Sequence, residues 1–241
     1  MKPYVVCHMV CSIDSKVTGE FLYRPEAEDA TQIYYEINRS YGNVARGAGK
    51  RYAFACGRIT MEGSFTGGYY PDLTVYKDKE PSRSDYVADK NADFYAIAFD
   101  RHGRLGWKSG KIEDYDPGYD KAHIIEVLTE ETSDEYLSYL KDVGVSYIFA
   151  GKVDTDMDLA LEKLRGLFGI ELILLEGGSI INGAFARDGL IDEISSVVAP
   201  TVSGVDGAPL FADATVCDFE LHSVKQYENG VLHTVYKRRK K

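Results

Sequence analysis

The run Ile170-Glu171-Leu172-Ile173-Leu174-Leu175 and the residues after it, Glu176-Gly177-Gly178-Ser179-Ile180-Ile181-Asn182-Gly183-Ala184-Phe185-Ala186-Arg187-Asp188-Gly189, decide the fold. The first six residues are almost purely aliphatic and read as a central strand buried on both faces. Gly177-Gly178 breaks that strand, a helix is predicted over 180–187, and Gly189 stops it. A strand that runs through glycine into a helix gathers free backbone N–H groups and the positive end of the helix dipole at one point. Lacking Cβ atoms, the glycine pair lets an anionic phosphate approach the backbone closely. Ser179 can cap the helix or bond a phosphate oxygen. A tight turn that needs glycine for its own geometry is the alternative reading.

The same arrangement occurs earlier in the chain. Residues 52–56 form a short apolar strand, Gly57 ends it, and Arg58-Ile59-Thr60-Met61-Glu62 starts a helix. Thr60 can offer its hydroxyl to a phosphate at that helix start. Arg58 is a permanent cation suited to a phosphate monoester, against the plainer reading of a solvated arginine beside a cap.

Further strands are predicted over 4–13, 94–99, 122–128, 145–150, 193–199, 219–224 and 231–236, with the turn Tyr227-Glu228-Asn229-Gly230 marking a closing hairpin. Helices are expected near 26–41, after a capping box of Thr132 and Glu135, and along the stripe Met157, Leu161, Leu164, Phe168. Gly144 and Gly169 stop the latter two. Residues 66–93 break the pattern and read as a long irregular excursion, either a surface loop or a lid over a substrate. Alternating strands and helices imply an α/β fold: three layers, a mostly parallel central sheet with helices on both faces, and a C-terminal antiparallel hairpin. Residues 1–241 read as a single domain.

Composition narrows the function. The 241 residues are 44% hydrophobic and carry a formal net charge of −10. That charge repels nucleic acid and anionic lipid, so neither is expected as a partner. The basic end 237–241 reads as a solvated tail. Cys7, Cys11, Cys56 and Cys217 form no Cys-x-x-Cys pair and have no histidine cluster beside them, so they read as reduced thiols with no metal role. Reduced thiols, no membrane-length apolar run and no cleavable leader predict a cytoplasmic protein.

Four segments resemble a known superfamily. GRITMEG (57–63) resembles the Gly-Arg-x-Thr-x-Glu segment of dihydrofolate reductases. EGGSIINGAFARDGLIDEISSVVAPTVSG (176–204) resembles the last third of the reductase domain of bifunctional riboflavin-biosynthesis proteins. YVVCHMVCSIDSKVTG (4–19) resembles the opening strand of that domain, and FDRHGRL (99–105) its Asp-Ser-x-Gly-Arg-Leu segment. The likeness runs over about residues 4 to 211, with Ser15 where the pattern has Gly and Arg101 where it has Ser. No His-x-Glu with Pro-Cys-x-x-Cys, the mark of the zinc deaminase half, is present.

The resemblance implies a stand-alone reductase domain with a dihydrofolate-reductase-like fold and NADPH as cofactor. Its implied reaction is reduction of a CH–NH or C=N type bond in a pyrimidine- or pteridine-like substrate, as in 5-amino-6-(5-phosphoribosylamino)uracil reductase. A dihydrofolate or pteridine reductase and a catalytically inactive NADP-binding module are the alternatives. By resemblance, Gly57, Arg58 and Thr60 bind the adenosine ribose-phosphate, Arg101 suits a 2′-phosphate, and Gly151 allows close cofactor approach. Gly177, Gly178, Ser179, Ile180 and Ile181 line the pyrophosphate and nicotinamide half, Cys11 lies where the first strand passes the nicotinamide, and Glu176 meets the substrate. Asp14, at the end of the first strand, is a candidate to position an amine or relay a proton, or else it holds its own turn. A homodimer is also implied, with 194–202 as a possible interface.

Overall fold

The computed structural model describes residues 1–239. Nine strands hydrogen-bond in the order β5-β4-β3-β2-β6-β1-β7-β9-β8. They are β1 (Tyr4–Cys11), β2 (Arg51–Gly57), β3 (Phe94–Phe99), β4 (His123–Leu128), β5 (Ser146–Phe149), β6 (Ile170–Leu175), β7 (Glu193–Val198), β8 (Phe219–Gln226) and β9 (Leu232–Arg238). The helices are α1 (Pro25–Gly47), α2 (Arg58–Met61), α3 (Asp134–Asp142), α4 (Met157–Phe168) and α5 (Ser179–Arg187). This is the mixed, mostly parallel sheet with a closing antiparallel hairpin that the sequence predicts. The aliphatic run 170–175 is interior, as its composition requires. The chain divides into two compact units, one of Met1–Pro3 with Ala48–Ile173, the other of Tyr4–Gly47 with the chain from Leu174 on.

In the first unit β2, β3, β4 and β5 are all parallel, with Gly57 opposite Phe99, Phe99 opposite Val127, and Leu128 opposite Phe149. Every residue of β3, β4 and β5 is buried, which explains why their sequences show no alternation. The helix before β5 begins one residue later than the expected capping box. Ser133 is the N-cap and its Oγ accepts from Tyr136 N. The buried Thr132 turns its N–H to the Thr129 carbonyl, and its Oγ1 is buried without a hydrogen-bond partner, so it does not cap. Asp156 caps α4 by accepting from Leu159 N at 2.9 Å, and Gly169 stops it at φ +70°.

The excursion 66–93 is fastened rather than free. Tyr76 donates to Asp142 at 2.8 Å, and Asp85 accepts from Phe149 N and pairs with Lys163, both at 2.9 Å. Arg83 donates to the Glu130 and Thr132 carbonyls, and Tyr86 bridges Tyr147 on β5. The segment therefore straps the outer edge of β5, which would otherwise present unpaired backbone groups. These fastenings hold residues 76–86 in place.

In the second unit β1 and β7 are parallel, and β7, β9 and β8 continue antiparallel. Pro25 occupies the first turn of α1, with Glu26 and Glu28 beside it. Phe21, Ala27, Ala30, Ile33, Val197, Ala199 and Val231 form one core cluster. His8 of β1 is fully buried and stacked on Tyr34 of α1, 4.4 Å between ring centres. Since β7 pairs on both edges, the expected interface at 194–202 has no free strand edge to offer. No helix among the described residues is long and apolar enough to cross a membrane.

Candidate functional site

In the first unit, four of the five residues singled out lie along one edge, where parallel strands end. Gly57 closes β2 and is the N-cap of α2, with no side chain capping the helix. Arg58 follows, its Nη1 2.7 Å from Glu62 Oε2 and its side chain only partly exposed. Arg101 stands two residues past the end of β3 and is ion-paired to Asp154. Gly151 stands two residues past the end of β5 at φ +110°, where a Cβ would come within 2.0 Å of the Asp154 carbonyl. The close approach that Gly151 permits is thus one of its own chain. Thr60 is half-buried in α2. The parallel register brings the ends of β2, β3, β4 and β5 to the same side, the edge at which open α/β sheets take ligands.

Asp100 adds a carboxylate to this edge. It is buried, and its Oδ2 accepts from Leu105 N at 2.8 Å, holding the 100–105 turn. Burial raises its pKa, while hydrogen bonds from Arg104 and Leu105 and the charges of Arg58 and Arg104 pull it down.

In the second unit, Glu176, Gly177, Gly178 and Ser179 form the turn from β6 into α5. Gly177 has φ +94°, and the Gly177–Gly178 peptide is cis. A Cβ on Gly177 would lie 2.9 Å from Met9 Cε. Gly178 is the N-cap of α5, so no side chain satisfies the first N–H groups of that helix. The Ser179 hydroxyl does not cap either: Oγ is buried and has no hydrogen-bond partner. A buried hydroxyl without a partner is costly and calls for an explanation. Here it sits beside uncapped N–H groups at a positive helix end, the donor set that a phosphate oxygen completes. Ile180 is 74% exposed and Ile181 is buried. Gly183, one turn on, meets the Ala212 carbonyl, which a Cβ would approach to 1.6 Å.

Glu176 is buried, and its Oε1 accepts from Asn38 Nδ2 at 2.5 Å. The sequence reading missed Asn38. Its signal was a polar residue on the buried stripe of α1, among Ala30, Gly42 and Ala45. Cys11 is buried at the end of β1, and burial pushes its thiol up to about 11, so it stays a neutral, packed group.

Asp14 is exposed and carries a full set of donors. Its Oδ1 accepts from Ser12 Oγ at 2.6 Å and Ser203 N at 2.9 Å, and its Oδ2 from Gly204 N at 3.1 Å. Chiefly the Ser12 hydrogen bond, then that of Ser203, holds its pKa down to about 2. Such a carboxylate is ionised near neutral pH and orients rather than donates a proton. Ser15, where the resembling pattern has Gly, takes φ +58°, so this turn needs the left-handed conformation that glycine adopts freely.

The strand order, the closing hairpin and the glycine-started helices define a dihydrofolate-reductase-like fold. A pyrimidine reductase-like protein from Corynebacterium diphtheriae superposes with a TM-score of 0.67 at 17% identity, over 99% of this chain and 93% of that one. The RibD C-terminal domain family matches residues 118–233. The Aquifex aeolicus protein named 2,5-diamino-6-ribosylamino-4(3H)-pyrimidinone 5′-phosphate reductase is 33% identical over 219 residues, 86% of this chain and 81% of that protein. A protein of the same name from Methanothermobacter thermautotrophicus is 32% identical over 99 residues, 41% of this chain and 45% of that protein. The chain belongs to the family of these pyrimidinone phosphate reductases.

Proposed function

We propose that the chain is an NADPH-dependent reductase acting on 2,5-diamino-6-ribosylamino-4(3H)-pyrimidinone 5′-phosphate, the compound named for its relatives. The observation that carries the reading is the Ser179 hydroxyl, buried without a partner at the uncapped start of α5, in a chain that matches a reductase of that name over most of its length. A ribosylamino group opens to a C=N bond. Reduction adds a hydride to the carbon and a proton to the nitrogen, leaving CH–NH. NADPH, when bound, supplies the hydride.

The protein supplies position and charge. Gly177, Gly178, Ser179, Ile180 and Ile181 hold the pyrophosphate and nicotinamide half, with Cys11 as a neutral wall. Gly57, Arg58 and Thr60 hold the adenosine ribose-phosphate, and Arg58 reads the 2′-phosphate. Arg101 would have to leave Asp154 to join it. Glu176, fixed by Asn38, presents its carboxyl group to the substrate. Asp14 stays an anion that braces the loop at Ser203 and Gly204, so the proton comes from water or from Glu176. The active form is a homodimer in the cytoplasm, a setting that suits the buried free thiols of Cys7, Cys11 and Cys56.

Titrating the protein with NADPH and with NADH tests the cofactor assignment. Arg58→Ala should weaken NADPH roughly 10- to 100-fold and NADH little, because only NADPH loses a charge-assisted bond. An equal loss for both removes the 2′-phosphate assignment.

A further inference from the structure

The last strand of the sheet is unfinished. β8 pairs with β9 on one side and forms the sheet's terminal edge on the other. Seven of its eight residues are exposed, although it is as long as any strand in the chain. Leu221 is 56% exposed, Val224 54% and Tyr236 of β9 37%. An edge with exposed apolar side chains invites another strand unless something blocks it.

The β8 sequence determines which strand fits. The register slips between Leu221 and Ser223, with His222 as the extra residue. Leu221 lies opposite Tyr236 and Val224 opposite Thr234, so the bulge puts both apolar residues on one face. Glu220 lies opposite Lys237 and Lys225 opposite His233, which puts both charges on the other face. Without the bulge Leu221 and Val224 would point to opposite faces. Neither Glu220 nor Lys225 has an ion-pair partner among the described residues.

We propose that β8 pairs antiparallel with β8 of a second copy of this chain, about a two-fold axis between His222 and Ser223. This rests on the homodimer reading and specifies its interface. The axis sets Glu220 opposite Lys225 of the second copy, twice, and Leu221 opposite Val224 of the second copy, twice. Faces agree at all four contacts, as cross-strand pairs require. Edge charges usually deter pairing, but one charge of each sign at symmetric positions attracts only an antiparallel copy in this register. The sheets of the two copies then join, and Leu221, Val224 and Tyr236 of both form one apolar stripe.

Sedimentation velocity on the full chain tests the interface with a charge swap. Wild type should run as a dimer. Glu220→Lys sets lysine against lysine, and Lys225→Glu sets glutamate against glutamate. Each alone should weaken association about tenfold or more. Mixed in equal amounts, the two variants should restore a dimer, because both contacts become complementary again. Both side chains are exposed, so the variants should fold and keep the wild-type circular dichroism spectrum. A monomeric wild type overturns the homodimer reading and the interface with it. Variants that stay dimeric, or a mixture that stays monomeric, overturn this interface while leaving the homodimer reading and the reductase assignment standing.

Discussion

Asn38 of α1 donates its side-chain amide to Glu176 Oε1, 2.5 Å away, one residue before the glycine pair. A buried carboxylate is kept in place by such donors, and losing one leaves a desolvated oxygen short of a partner. Asn38→Leu should therefore cost about 1–3 kcal/mol of stability, read from the urea midpoint. It should also lower kcat more than it raises KM, because Glu176 loses its orientation. A variant with wild-type kcat would remove Glu176 from the substrate's surroundings.

Ser179 makes the opposite stability prediction. Its hydroxyl is buried without a partner, so Ser179→Ala removes an unpaid desolvation cost and should leave the free protein as stable as wild type or slightly more so. NADPH affinity should fall roughly 5- to 30-fold, about 1–2 kcal/mol, by calorimetric titration. Loss of stability with unchanged affinity would mean that the hydroxyl serves the fold.

His8 should make stability fall in mild acid. Burial first, then the neighbouring His233, lowers its pKa from 6.5 to about 4, against opposing hydrogen bonds with Tyr34 and Ser195. The unfolded chain takes up a proton as pH drops through 6.5, whereas the folded chain does so only near 4. The stability is thus present above pH 6.5 and lost progressively down to pH 4, in all roughly 3 kcal/mol. His8→Gln should flatten that part of the urea-midpoint profile. An unchanged slope in the variant would assign the effect to other groups.

What the sequence made legible was local. Ile170–Leu175 announced a central strand by composition, and Gly177-Gly178 and Gly57 announced strand-to-helix turns, because glycine and aliphatic runs act over a few residues. The Ser133 cap was missed by one residue because Thr132 still belongs to a turn with Thr129, and sequence spacing does not show where that turn ends. Asn38 and Glu176 are 138 residues apart, so only folding reveals their bond. Asp14 reads first as a catalytic candidate because its sequence neighbours do not show that Ser203 and Gly204 donate to it from 189 and 190 residues away. The 66–93 strap was unreadable for the same reason: each of its fastenings reaches a distant element.

The central claim is the reaction. The chain, NADPH and 2,5-diamino-6-ribosylamino-4(3H)-pyrimidinone 5′-phosphate should be mixed, with loss of NADPH absorbance followed and the product weighed by mass spectrometry. Stoichiometric NADPH consumption with a product heavier by two hydrogens is the predicted result. NADPH that binds without turnover, or does not bind at all, would contradict it.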